Sequence, residues 1–125
     1  MIAVDTSSMI AFLQGDEGSD VDVVDDGLGS KQVILPPVVV TELRSDPTLP
    51  HRVRGLILDL PVLDLLDGYW VRAGETRERL LSRKLKALLA DTLIAQSCID
   101  HDTPLVTRDR DFRHFAKHSA LKLVG

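Results

Sequence analysis

The chain has 125 residues, of which 44% are hydrophobic and 27% are charged. A chain of this length and composition can bury an apolar core without disulfides or a structural metal, which excludes a disordered or fibrous protein. Its net charge of -4 argues against nucleic-acid binding through bulk positive charge. Any contact with a nucleic acid would therefore have to be local, or assisted by cations or by another chain.

Cys98 is the single cysteine, so the chain can form neither an internal disulfide nor a multi-cysteine zinc site. No stretch approaches the ~20 apolar residues that a membrane helix requires, and no basic region precedes an apolar run at the start. These features predict a cytoplasmic protein that neither spans a membrane nor is exported.

Short apolar runs alternate with longer segments of helical spacing, a pattern typical of a parallel sheet flanked by helices. We predict one three-layer α/β/α domain over residues 1–125. Its five strands are expected at residues 2–4, 32–35, 62–65, 105–107 and 121–124. Helices are expected at residues 7–14, 36–44, 50–60, 67–86 and 91–101. The acidic segment 16–26 is interpreted as a helix face or a surface loop.

Two aspartates follow predicted strands: Asp5 comes directly after the first strand and Asp109 shortly after the fourth. The carboxyl ends of parallel strands border the crevice in which ligands bind, so the two side chains can meet there. Carboxylates brought together repel one another and require a cation to neutralise them. Oxygen ligands without a nearby histidine or cysteine indicate magnesium or manganese rather than zinc.

Glu42 and Asp91 lie on predicted helices. Glu42 is surrounded in sequence by valines and Leu43, where an unpaired charge would be costly, so we expect it to have a function. Asp91 lies near a helix start, where a carboxylate also interacts favourably with the helix dipole. Taken singly, Asp5 and Asp91 can be explained as helix caps and Asp109 as a turn residue, so these structural alternatives stay open.

Four segments resemble, in order and spacing, the successive motifs of PIN domains. They are IAVDTS at residues 2–7, VTEL at 40–43, DTLIAQ at 91–96 and LVTRDRDF at 105–112. The similarity covers nearly the whole chain and is closest to the toxin nucleases of bacterial and archaeal toxin-antitoxin pairs, the VapC toxins. Each motif alone is weak, but four in order are fairly specific.

The resemblance implies a sheet of strand order 3-2-1-4-5 and an acidic pocket that holds one or two Mg²⁺ or Mn²⁺ ions. The metal ligands and catalytic residues that it implies are Asp5, Glu42, Asp91 and Asp109. Asp111 matches a family aspartate that helps to bind or position the metal. Thr6 and Thr107 match hydroxyls that orient the carboxylates or a water molecule.

The resemblance also implies an activity and partners. The activity is metal-dependent hydrolysis of RNA phosphodiester bonds, which leaves a 5′-phosphate and a 3′-hydroxyl. The expected partners are the RNA substrate and a cognate antitoxin that inserts a segment near the acidic pocket. Assembly as a homodimer, or as a hetero-oligomer with the antitoxin, is expected as well.

Several basic residues lie close to Asp109 in sequence, namely Arg108, Arg110, Arg113 and Lys117. We expect the three arginines to bind substrate phosphates, because a guanidinium group pairs with phosphate oxygens in a bidentate manner. Ordinary surface charge is the alternative for each of them.

Elsewhere, we expect Cys98 to lie in the core. Tyr69 and Trp70 are expected there as well, with an interface between subunits as the alternative. His114 and His118 are spaced as a zinc pair, but no third ligand accompanies them, so we expect them on the surface.

Two other functions stay open. One is a non-catalytic PIN-fold module that binds RNA or protein, although the presence of all four motif acids counts against it. The other is an aspartate-based α/β phosphatase or a phospho-receiver. A dehalogenase-type phosphatase requires an aspartate two positions after its nucleophile, where this chain has Ser7.

Overall fold

The structure is a computed structural model that describes residues 1–125. It contains three short strands, which are β1 (Ile2–Val4), β2 (Val33–Ile34) and β3 (Leu105–Val106). Seven helices accompany them: α1 (Thr6–Leu13), α2 (Ser19–Gly29), α3 (Pro37–Arg44), α4 (His51–Leu58), α5 (Tyr69–Ser82), α6 (Leu89–Asp100) and α7 (Phe112–His118).

The strands form one parallel sheet in the order β2-β1-β3. On one side of β1, Ile2 pairs with Val33, and on the other side Val4 pairs with Val106. The central strand is apolar because both of its faces are covered, and Ala3 and Val4 are fully buried. This arrangement confirms the predicted α/β class and the parallel sheet.

The prediction of about five strands is wrong. The segments expected to form the third and fifth strands make only isolated parallel bridges, Leu35 with Val62 and Leu105 with Leu123. Both bridges lie at the outer edges of the sheet, so the expected strand order is kept. Each outer segment pairs with its neighbouring strand through one residue only. Val62 is 42% exposed, so this edge buries too little apolar surface to hold a longer strand.

All five predicted helices are present as α1, α3, α4, α5 and α6, with shifted ends. Helix α5 begins after Gly68, which has a left-handed backbone conformation, and it ends at Ser82 rather than at residue 86. The acidic segment forms helix α2, and α7 is a helix that the sequence analysis did not predict. No helix is both long enough and apolar enough to cross a membrane.

The core gathers apolar side chains from the sheet and the helices around it, and Phe112 and Phe115 of α7 are among its largest members. Tyr69 and Cys98 are buried, as predicted. The prediction for Trp70 is wrong because its side chain is 65% exposed. The buried residues of α5 recur every three or four positions from Tyr69, so the next residue in sequence points away from the core.

Candidate metal centre and active site

Asp5 ends the central strand and begins helix α1. Its backbone N–H donates to Val106 O at 2.9 Å, which fixes it beside β3. The side chain is 4% exposed and caps α1 by accepting from the backbone N–H of Ser7. Its Oδ2 also accepts from the hydroxyls of Ser7 at 2.6 Å and Thr107 at 2.9 Å. The capping role and a role in the site are therefore compatible.

The loop after β3 is held in shape by two side-chain acceptors. The backbone N–H of Asp109 donates to Thr107 Oγ1 at 3.0 Å, and that of Asp111 donates to Asp109 Oδ1 at 2.9 Å. Because the Thr107 hydroxyl also donates to Asp5, it connects this loop to the end of β1. The hydroxyl thus aligns two acidic residues that are far apart in sequence.

Asp91, Asp109 and Asp111 converge, and each offers a carboxylate oxygen within 4.8 Å of those of the other two. Asp91 reaches this point from the first turn of α6. Its Oδ2 is buried and has no hydrogen-bond partner. Burial, together with the negative charges of Asp109, Asp5, Asp111 and Glu42, raises the pKa of Asp91 to about 6.

Glu42 lies at the edge of this cluster and outside the group of three. Its Oε1 accepts from the Thr6 hydroxyl at 2.7 Å, so Thr6 contacts a carboxylate as the resemblance implies. The burial cost that was the sequence argument for a functional Glu42 does not apply, because its apolar neighbours in sequence point away from it. Helix α3 buries Val39 and Leu43, whereas the Glu42 side chain is exposed and remains hydrated.

Lys86 is the only basic residue that forms an ion pair with these five carboxylates. It belongs to the loop between α5 and α6, and its Nζ lies 2.8 Å from Asp111 Oδ2. This hydrogen bond raises the pKa of Lys86, and the charges of Asp109 and Asp91 act in the same direction. Lys86 was not among the residues predicted from the sequence. The only signal was a basic residue shortly before Asp91.

Arg108 does not have the free guanidinium group that the sequence analysis expects. Its Nε donates to Asp20 Oδ2 at 2.8 Å and one terminal nitrogen donates to Asp20 Oδ1 at 3.0 Å. This pairing lowers the pKa of Asp20 to about 2. Arg110 and Arg113 form no ion pair, are exposed, and line a cleft of about 240 Å³ together with Asp109.

The donor set fits a hard divalent cation. All candidate ligands are carboxylate oxygens, which suit magnesium and manganese. Five carboxylates repel one another here, and a single lysine is the only basic residue that forms an ion pair with any of them. The buried Oδ2 of Asp91 also lacks a hydrogen-bond partner. A cation in contact with Asp91, Asp109 and Asp111 would relieve both the repulsion and the missing contact.

A family model described as the PIN domain matches residues 2–118, which is nearly the whole chain. This chain belongs to the PIN-domain family. The family assignment made from the four sequence motifs is thereby confirmed. A search of curated protein sequences finds no significant match.

Solved structures with the same PIN fold cover the chain almost completely. One is FitAcB from Neisseria gonorrhoeae, with a TM-score of 0.74, 20% identity, and coverage of 100% of this chain and 97% of that chain. Another is VapBC2 from Rickettsia felis bound to a promoter DNA fragment, with a TM-score of 0.71, 20% identity, and coverage of 99% of this chain and 98% of that chain. A third is DNA-bound VapBC from Salmonella typhimurium, with a TM-score of 0.70, 17% identity, and coverage of 99% of this chain and 98% of that chain. At this identity, the similarity shows the fold.

Proposed function

We propose that residues 1–125 act as one divalent-metal-dependent endoribonuclease domain, which uses Mg²⁺ or Mn²⁺ to hydrolyse RNA phosphodiester bonds. The observation that carries this proposal is the buried Oδ2 of Asp91, which has no partner although its side chain lies against those of Asp109 and Asp111. A structural carboxylate at this depth would be paired with a donor or a basic residue. RNA as the substrate follows from the resemblance to VapC toxins.

The side chains divide the work between binding the metal and orienting its ligands. Asp91, Asp109 and Asp111 would hold the cation, with Asp5 and Glu42 completing the acidic pocket. A bound divalent cation lowers the pKa of water and stabilises negative charge on a phosphate. The remaining contributions come from hydroxyls: those of Ser7 and Thr107 hold Asp5, and that of Thr6 holds Glu42.

Substrate binding is assigned to Arg110 and Arg113, whose guanidinium groups are exposed beside Asp109 in the adjoining cleft. Both are free to form paired hydrogen bonds with phosphate oxygens next to the scissile bond. Arg108 is already bound to Asp20, so we propose that it shapes the loop that carries Asp109 rather than binding phosphate.

We further propose that the protein is the toxin of a toxin-antitoxin pair. A second cleft of about 230 Å³ lies between α1, α3 and α4, and apolar side chains such as Leu13, Leu43 and Val53 line it beside Glu42. An antitoxin segment with apolar side chains and one basic residue would fit this cleft and reach the carboxylates. The exposed Trp70 and Val71 offer a separate apolar surface for self-association.

The test is incubation with total RNA, with and without Mg²⁺ or Mn²⁺, followed by mapping of the cut ends. We expect metal-dependent cuts with 5′-phosphate and 3′-hydroxyl ends, and no cuts by Asp109→Asn. Asp102→Asn is the matched control, because Asp102 is exposed and its left-handed backbone conformation suits asparagine. Equal cleavage by wild type and Asp109→Asn would remove the catalytic assignment.

The two alternative functions predict different results. A non-catalytic binding module would cut no RNA under any metal condition. This alternative is disfavoured because a purely structural cluster of carboxylates needs counter-ions, and the five carboxylates here have only Lys86. A phosphatase would form an acid-labile phosphate on Asp5. The burial of Asp5 and its two hydroxyl donors disfavour a nucleophilic role.

A further inference from the structure

Lys86 lies outside the four sequence motifs and yet contacts the acidic cluster. Its Nζ is 2.8 Å from Asp111 Oδ2, and its side chain is 58% exposed. The loop that carries it connects α5 to α6, the helix that presents Asp91. The ammonium group therefore lies against the pocket, but no surrounding side chain encloses it.

The ammonium group and a divalent cation would seek the same partner. Asp111 offers a carboxylate oxygen within 4.8 Å of those of Asp91 and Asp109, so a cation bound by all three meets a positive charge already in contact with one of them. Like charges at such separations repel appreciably even in water. An ion pair whose lysine side chain is 58% exposed is also weak, so a divalent cation can displace the ammonium group.

We propose that Lys86 is a displaceable counter-ion that competes with the divalent cation for Asp111 and so sets the cation concentration at which the pocket fills. This inference rests on the proposed function, because it requires that the carboxylates bind a metal. The flexible four-carbon stem of lysine allows the ammonium group to leave Asp111 without any movement of the backbone.

A positioning role for Lys86 would have the opposite consequence. If Lys86 held Asp111 in the orientation that the metal requires, its removal would weaken metal binding. If the two cations compete, its removal strengthens metal binding. The sign of the change in affinity therefore separates the two roles.

The experiment measures the Kd for Mn²⁺ directly, from the electron paramagnetic resonance signal of free Mn²⁺, without nucleic acid. We expect Lys86→Gln to bind Mn²⁺ about three- to tenfold more tightly than wild type at low salt, and the difference to shrink at high salt. Lys122→Gln is the matched control. It breaks another lysine–aspartate pair of 2.8 Å, Lys122–Asp102, whose side chains are 66% and 76% exposed. Its Mn²⁺ affinity should equal that of wild type.

Every outcome bears on the competition, and one of them also bears on the metal site. Unchanged or weaker Mn²⁺ binding by Lys86→Gln overturns the competition, whereas the metal site itself stands because wild type still binds. Absence of Mn²⁺ binding to both proteins overturns the metal site and the competition with it. A gain of equal size in Lys122→Gln would show a general charge effect and would also overturn the specific role of Lys86.

Discussion

Asp91→Asn removes the charge whose placement is least favourable in the metal-free protein and almost preserves the shape of the side chain. Burial and the neighbouring carboxylates raise the pKa of Asp91 to about 6, so its ionised form is destabilised in the folded protein. We therefore expect the asparagine variant to be more stable than wild type at pH 8 when no metal is present.

The size of the effect follows from the change in pKa. The pKa of Asp91 rises from 3.8 to about 6, and each unit corresponds to about 1.4 kcal/mol, which gives at most about 3 kcal/mol. Partial exposure and salt reduce this to about 1–2 kcal/mol, or a melting temperature about 3–8 °C higher. Because the folded state binds this proton more tightly, the contribution of Asp91 to stability declines between about pH 4 and pH 6 and is constant above that range.

The assay is thermal unfolding followed by circular dichroism, in the presence of a chelator, at pH 4 and at pH 8. The melting temperature of the variant should be higher than that of wild type at pH 8 and equal to it at pH 4. Asp25→Asn, on the exposed side of α2, is the control and should change stability by less than about 0.5 kcal/mol. On addition of Mn²⁺, wild type should gain stability and Asp91→Asn should gain much less. A variant less stable than wild type at pH 8 would contradict an unfavourable charge on Asp91.

Three further substitutions or measurements test the packing around the site. In Gly18→Ala, the new Cβ would lie 2.5 Å from Asp20 Oδ1 at a φ of +152°, so urea unfolding should show a loss of about 1–2 kcal/mol. Gly29→Ala, with nothing within 4 Å, should be neutral or slightly stabilising. Thr76→Val removes the buried 2.6 Å hydrogen bond to Gln96 Oε1 and should cost about 1–3 kcal/mol by the same measurement, whereas the exposed Thr41→Val should cost little. Burial raises the pKa of the Cys98 thiol to about 12, so a thiol reagent should label it only after unfolding; rapid labelling of the native protein would contradict its burial.

The parts of the fold that depend on local patterns could be predicted from the sequence. The buried strands read as continuous apolar runs and the helices as periodic ones, so the parallel sheet and five of the seven helices were foreseen. The length of the outer strands could not be predicted, because it depends on how much of residues 62 and 123 the neighbouring elements cover. Trp70 was misplaced for a similar reason, since a helix start does not reveal which of two adjacent aromatic residues points inward.

For the candidate site, the order of the motifs indicated which acids would converge. The structure brings Asp91, Asp109 and Asp111 together, and their roles as ligands stay predictions. The charge partners could not be foreseen. Arg108 pairs with Asp20 from a distant segment, and Lys86 reaches Asp111 from an irregular loop. Such ion pairs depend on how flexible side chains are arranged in the folded protein. No periodic pattern in the sequence indicates them.

The hydroxyl of Thr107 joins Asp5 to a loop that lies 102 residues later in the chain. Synthesis on the ribosome proceeds from the amino terminus, and β1 can acquire its neighbour β3 only after residues 105–106 have emerged. A nascent chain, or a fragment released from an interrupted message, therefore lacks Asp109 and Asp111 and cannot assemble the pocket. The acidic cluster can therefore form only after residues 105–111 have been made.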